Sequence, residues 1–230
     1  MNCIDVSEWN GDINWKAVKS SGIDYAIIRC GFGHSGIDKY FNINLEEATA
    51  AGVKVGVYFY SYASDYDTAC AEAKHCIELI EDYKDIISLP VFYDVEEEKC
   101  RPRIIDVCMG FINTMQYYGY NTGVYTMISW YDAYFKDIAC DYIWLASWGC
   151  DDGEPHTAPG YCDIWQYTSK GTVPGIGSGC VDCDILNNEN MKLMFTEHDL
   201  NEDIIEEKYN ATVTIRYKDN KPINFKIDLL

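Results

Sequence analysis

Positive charge is scarce in this sequence. Among 230 residues there are 18 Lys and Arg against 37 Asp and Glu, a formal net charge of -19 at pH 7. Such a field repels phosphate backbones and anionic membrane surfaces, so neither nucleic acid nor a charged bilayer is expected as a partner. Long apolar runs are also missing. None approaches the roughly 18 consecutive apolar residues that span a bilayer, which argues against membrane insertion. The opening MNCIDVSEWNG has no basic stretch followed by an apolar one, and it enters a strand-like run at once. The expectation is a chain that works without a leader. Histidine is sparse too, and His34, His75, His156 and His198 are scattered rather than paired at metal-ligand spacing.

Cysteine, by contrast, is plentiful, at eleven residues. Cys3, Cys30, Cys108 and Cys140 fall inside apolar patterns that a strand or helix can bury. Together with the missing leader, this favours reduced, mostly buried thiols over a disulfide framework. The segment GCVDCD gives Cys180 and Cys183 the spacing of a redox or zinc half-site. No second CxxC or histidine pair accompanies it, so no metal and no cofactor are expected. Apolar residues make up 48% of the chain, enough for a large core, and the aromatic excess is mostly tyrosine, 19 Tyr against 8 Phe and 6 Trp. Tyrosine and tryptophan join a flat apolar face to a hydrogen-bonding tip, which suits sugar clefts as well as ordinary amphipathic surfaces.

Eight strand-like runs recur along the chain: CIDVS, DYAIIRCG, KVGVYFYSY, LPVFYDVE, TGVYTM, YIWLASW, DIWQYT and VDCDI. Between the first four lie INWKAVKSSG, DKYFNINLEEATAAG and DTACAEAKHCIELIEDY, with apolar residues at three- and four-residue spacing. Pro102 is placed to open a helix over RIIDVCMGFINTMQYYG that Gly119 closes, and a fainter helix, ISWYDAYFK, follows the fifth run. Repeated strand-helix alternation predicts a mainly parallel sheet, and eight strands predict its closure into an α/β barrel. Connections after the sixth run read as loops, so the barrel is expected to be irregular, with fewer than eight helices. Residues 1–195 form this unit. Residues 196–230 read differently: NATVTIRY and INFKIDL alternate polar and apolar positions around KDNKP, the pattern of a β-hairpin extension. That segment is too short for an independent domain and is expected to be an appendage.

The stretch LPVFYDVEEEK, residues 89–99, places four carboxylates within five positions. An acidic run after a strand is ordinarily a solvated exit. Strand parity separates its members, because residues i and i+2 share a face. Val91, Tyr93 and Val95 suit the helix-facing side, which turns Phe92, Asp94 and Glu96 toward the barrel interior at the rim where such barrels carry active sites. Glu97 and Glu98 are expected in solvent. Asp5 shares a face with Cys3 and Ser7, and Asp182 with Asp184. The first and eighth strands of a closed barrel are neighbours, so these acids would converge on one rim with Asp94 and Glu96. Clustered carboxylates without basic partners cannot all ionise, so at least one should hold its proton near neutrality. A protonated acid beside ionised carboxylates is what glycosidic bond cleavage requires. Tyr58, Tyr60 and Tyr62 alternate along the third run, Tyr125 lies in the fifth, and Trp148 and Trp165 in the sixth and seventh. Rings are ordinarily core packing; several of them at strand ends around an acidic cluster point to a carbohydrate cleft.

With these residues in place, the chain resembles glycoside hydrolase family 25, the lysozymes of phages and bacteria. The resemblance runs in order from Ile4 to Leu193, through DVSEWNGDINW, SGIDYAIIRCGFG, DKYFNINLEEATAAGVKVGVYFYSYA, FYDVE, WLASW and IWQYTSKGTVPGIGSGCVDCDI. It implies a flattened (β/α) barrel and hydrolysis of the β-1,4 bond between N-acetylmuramic acid and N-acetylglucosamine. Peptidoglycan glycan strands are then the partner and the bacterial wall the place of action, with the chain released by a phage holin or exported in mature form. Position by position, Glu96 matches the catalytic acid, Asp94 its partner, and Asp5 and Asp182 the supporting acids. The family usually carries Asn where this chain has Asp184. Residues two apart on a strand fit either the retaining or the inverting carboxylate separation.

Two other readings compete. A chitinase-like glycosidase also places acids after a fourth barrel strand, in the pattern D-x-x-D-x-D-x-E, but Leu89 and Phe92 stand at the earlier positions here. A catalytically weak carbohydrate-binding barrel would be expected to lack the acid pair, and Asp94 and Glu96 are both present.

Overall fold

In a computed structural model of the protein, residues 1–187 are described apart from Asp137 and Ser178. The expected hairpin over residues 196–230 lies outside the described residues. The strands are β1 (Asn2–Val6), β2 (Tyr25–Phe32), β3 (Gly36–Ile37), β4 (Lys54–Tyr60), β5 (Ile87–Asp94), β6 (Thr122–Met127), β7 (Tyr142–Ala146), β8 (Ile164–Gly171) and β9 (Val181–Leu186). They order as β1-β9-β8-β7-β6-β5-β4-β2, and a β1–β2 pairing closes the ring into an eight-stranded barrel. The eight runs read from the sequence are these eight strands. The two-residue β3, antiparallel to the end of β2, was not anticipated.

All pairs in the ring are parallel except those of β9, which runs antiparallel to both β1 and β8. This reversal matters for the site. In a parallel strand the rim residue comes last, whereas in β9 it comes first, and Asp182 stands opposite Asp5 in register.

Helices α1 (Trp15–Ser20), α2 (Phe41–Ala50), α3 (Tyr66–Ile80) and α4 (Ile104–Tyr117) pack outside the first half of the ring. Helix α3 starts at a reciprocal cap: the Asp65 carboxylate accepts from the Thr68 backbone N–H at 2.9 Å, and the Thr68 hydroxyl oxygen accepts from the Asp65 N–H at 3.2 Å. Helix α4 follows a short 3-10 turn at Arg101–Arg103 that contains Pro102, and it stops before Gly119, whose φ of 85° is left-handed. Gly110 lets α3 and α4 approach, since a Cβ there would lie 2.4 Å from the Tyr66 carbonyl. After β6 the chain makes α5 (Ile128–Trp130), continued by a π turn over Tyr131–Phe135. From β7 onward no helix occurs among the described residues.

Two apolar layers result. The outer one joins sheet to helices and contains Ile4, Val6, Val91, Tyr93, Val95, Phe111 and Cys183, all buried. The inner one fills the barrel with Cys3, Ile27, Tyr58, Phe92, Tyr125, Trp144, Ile164 and Leu186. Trp144 is its hub, with ring centroids 4.5 Å from Tyr125, 5.4 Å from Phe92 and 6.0 Å from Tyr58. The alternation expected for β1, β5 and β9 is therefore observed. All eleven cysteines are free, and Cys3, Cys30, Cys76, Cys100, Cys108 and Cys183 are buried. Cys183 packs into the outer layer while Cys180 is exposed, so the CxxC pair does not converge.

Candidate active site

A cleft of about 420 Å³ opens at the rim above Trp144. Strand ends deliver its acids: Asp5 from β1, Asp94 from the last residue of β5 with Glu96 just beyond, and Asp182 from β9. Asp5 and Asp94 are buried, whereas Glu96 is half-buried. Asp184, two residues deeper on β9, does not line the cleft. Its Oδ1 accepts from Trp144 Nε1 at 2.8 Å, while its buried Oδ2 has no hydrogen-bond donor among the described residues. It stands beneath the rim acids, linked to the Asp5 carboxyl.

Burial is the first cause of the high proton affinity in this group, and mutual repulsion is the second. Desolvation and then the charges of Asp182 and Asp184 push the Asp5 carboxyl well above the usual carboxylate range. Asp94 is raised by burial and by Glu96, with Arg29 acting in the opposite sense. Burial raises Glu96, partly offset by the Tyr60 hydroxyl. Asp182 is pushed up to about 6, by burial and then by Asp151. Asp184 is raised by burial, which the Trp144 hydrogen bond only partly offsets. The cluster thus retains protons near neutrality, as clustered acids require.

A cation does approach the cluster, contrary to the expectation of no basic partner. Arg29 lines the cleft, on the same face of β2 as Ile27. Its Nε donates to Asp38 at 2.9 Å and its second guanidinium nitrogen to Glu8 at 3.0 Å. Two carboxylates therefore fix the guanidinium at the wall.

The polar hub is Gln166 of β8. Its Nε2 donates to Asp5 Oδ2 at 2.8 Å, and its Oε1 accepts from Tyr125 Oη and from Trp148 Nε1, each at 2.9 Å. Sequence reasoning missed Gln166 and Arg29. Parity carries both, since Gln166 shares a face with Ile164 and Arg29 with Ile27. Trp144, Ser7, Trp9 and Asn10 also line the cleft without having been singled out, as does Cys180, noted above only for its CxxC spacing. Ser7 and Asn10 cap the short turn Glu8–Asn10 reciprocally, which holds Trp9 out at the mouth at 78% exposure.

Of the rings singled out, Tyr58, Tyr60, Tyr125 and Trp148 line the cleft. Two do not. Trp165 occupies the opposite parity from Gln166, lies beside Tyr167 and donates to the Ser147 carbonyl at 2.8 Å. Tyr62 lies past the end of β4, its ring 5.3 Å from Tyr60, and its backbone N–H donates to buried Glu72. Glu97 departs from the solvent-facing expectation, since it accepts from Tyr60 Oη at 3.0 Å. Glu98 is exposed and pairs with Arg101.

Known proteins resemble this chain in sequence and fold. Lysozyme M1 of Streptomyces globisporus is 28% identical over 211 residues, covering 83% of this chain and 69% of that protein. The catalytic domain of endolysin ply40, from bacteriophage P40 of Listeria monocytogenes, superposes with a TM-score of 0.76 at 23% identity, over 85% of this chain and 96% of that one. The modular autolysin LytC of Streptococcus pneumoniae, solved with a synthetic peptidoglycan ligand, gives a TM-score of 0.68 at 31% identity. There the match covers 80% of this chain but 46% of the autolysin. The model of glycosyl hydrolases family 25 matches residues 4–176, and the protein belongs to that family.

Proposed function

We propose that the protein is a peptidoglycan hydrolase of the lysozyme type, cleaving the β-1,4 bond between N-acetylmuramic acid and N-acetylglucosamine in the bacterial wall. The observation that carries this reading is the acid cluster itself: buried Asp5 and Asp94, with Glu96 half-exposed beside them, in a cleft walled by Tyr and Trp.

Glu96 is the acid in this scheme. Its position gives it access to a glycosidic oxygen, and burial raises its proton affinity, the direction a general acid requires. Asp94 is the partner. Its buried Oδ1 has no hydrogen-bond donor among the described residues, and in this scheme it accepts the N–H of the substrate's acetamido group. That contact turns the acetamido oxygen toward the anomeric carbon. As Glu96 gives its proton to the leaving oxygen, the glycosidic C–O bond breaks and the acetamido oxygen bonds to carbon. Glu96, now ionised, removes a proton from the water that opens this intermediate. Asp5 and Asp182 stabilise the positive charge that develops on the sugar. Tyr58, Tyr60, Tyr125 and Trp148 supply the flat and hydrogen-bonding walls. Residues 1–195 are assigned as the catalytic barrel and residues 196–230 as its appendage.

Digestion of purified peptidoglycan, borohydride reduction and mass spectrometry of the reduced sugar test the reading. Muramitol is the expected product. Glucosaminitol would overturn the bond assignment, and no new reducing end from peptidoglycan would overturn the hydrolase reading.

A further inference from the structure

The loop between β7 and β8 carries a group of side chains that the acid cleft does not use. Cys150, Asp152 and His156 are all exposed and converge on one point. Cys150 Sγ lies 3.1 Å from His156 Nε2 and 3.1 Å from Asp152 Oδ2, and the Asp152 oxygens lie 3.0 and 3.1 Å from the same His156 nitrogen. The chain between them is held in place. Asp151, at a left-handed φ of 47°, accepts from Thr168 Oγ1 at 2.7 Å, from the Ser169 N–H at 2.9 Å and from Ser169 Oγ at 3.0 Å. Cys150 and Asp152 thus project from either side of a residue anchored to β8.

The choice of nitrogen discriminates between uses of such a trio. In a nucleophilic relay the acid holds one ring nitrogen and the thiol the other, so that the ring passes a proton between them. Here thiol and carboxylate both face Nε2. One ring nitrogen has a single proton or a single lone pair, and it cannot serve both partners as a relay. Three donor atoms of different type around one point form instead one face of a coordination tetrahedron. With zinc bond lengths of about 2.0–2.3 Å the edges of that face would be about 3.3–3.6 Å, so the observed triangle opens by a few tenths of an ångström to admit the ion.

We propose that Cys150, Asp152 and His156 bind one divalent ion of the zinc class, with water in the fourth position. The donor set selects the metal: a thiolate and an imidazole suit zinc, whereas calcium and magnesium require a shell of oxygens. The bound ion ties the loop that follows Trp148 into a closed ring at the mouth of the cleft.

Titration calorimetry of the chelator-treated full chain with Zn²⁺, and absorption spectra with Co²⁺, test this. The wild type is expected to bind one equivalent of Zn²⁺, and Co²⁺ to give a thiolate-to-metal charge-transfer band. His156→Ala should weaken Zn²⁺ binding by roughly tenfold or more, and Cys150→Ser should abolish the band. Both residues are exposed, so folding is not at stake. The His156→Ala variant keeps all eleven thiols, which makes it the control for zinc captured by other cysteines. No binding by the wild type at a large molar excess of Zn²⁺, or equal binding by all three proteins, would overturn the proposal.

Discussion

From β1 to α4 the chain alternates strand and helix, and each helix covers the outside of the sheet; from β7 to β9 the strands are joined by loops, and one strand runs backwards. Both halves reach the same cleft by different means. The helical half contributes Asp94 and Glu96 from the end of β5, whose outer face is locked into the helix-packed layer through Val91, Tyr93 and Val95. The loop half contributes Gln166 and Trp148, whose placement rests on hydrogen bonds to Asp5 and to one another. Apolar packing sets the position of the reacting acids, and polar bonding closes the site around them. A buried strand tolerates little displacement because its neighbours are close-packed, whereas a loop depends on a few directional contacts.

The largest effect should come from the helical half. Glu96→Gln keeps the shape and removes the proton, so turnover of peptidoglycan should fall by roughly 10²–10⁴ while the melting temperature stays near that of the wild type. Substantial residual release of muramitol would move the acid role elsewhere.

Breaking the tie between the halves should come next. Gln166→Leu leaves Asp5 Oδ2 without its donor and frees both Tyr125 and Trp148. We expect a loss of about 1–3 kcal/mol in urea unfolding, together with a fall in kcat. A fall in stability with kcat untouched would show that the loop half holds shape alone.

Asp184→Asn sharpens the comparison through pH. The folded-state proton affinity of Asp184 is raised, so between the ordinary carboxylate range and that raised value the folded chain binds more protons than the unfolded one. Wild-type stability therefore falls as pH rises through this window, and the Asn variant should lack that fall. Asn can accept from Trp144 and also donate to Asp5. Urea unfolding at pH 5 and pH 8 should show the stability of the variant relative to the wild type rising by about 1–3 kcal/mol between the two. Parallel pH dependences would remove Asp184 from the proton-sharing group.

The smallest effect belongs to Trp148→Ala. Trp148 is 40% exposed and its indole N–H donates to Gln166, so KM should rise about 3- to 10-fold with little change in kcat. An equal fall in kcat would place the ring closer to the chemistry than a cleft wall.

Parity explains both what could be read in advance and what could not. On β1, β5 and β9 the apolar residues mark one face clearly, and Asp5, Asp94 and Asp182 follow on the other. On β8 the ring of Trp165 drew the assignment although Ile164 and Gln166 share the inward face. On such a strand, position is a better guide to the inward face than residue type. Tyr62 failed for a related reason: β4 ends at Tyr60, and alternation has no meaning beyond the last strand residue. The Cys150, Asp152 and His156 group was invisible as a motif, because a loop has no period that tells which side chains meet.

The sequence by itself determined the eight strands, the helices between the early ones, the barrel and the identity of the inward acids. All of these follow from local periodicity, which a chain carries wherever it goes. Tertiary structure alone decided that β9 runs antiparallel, which brings Asp182 level with Asp5 and sinks Asp184 beneath them. It also decided that Arg29 stands at the wall between Glu8 and Asp38, and that Gln166 joins three distant elements. These depend on which strand lies beside which and in what direction, and the energy that sets them comes from closing the whole ring rather than from any one segment.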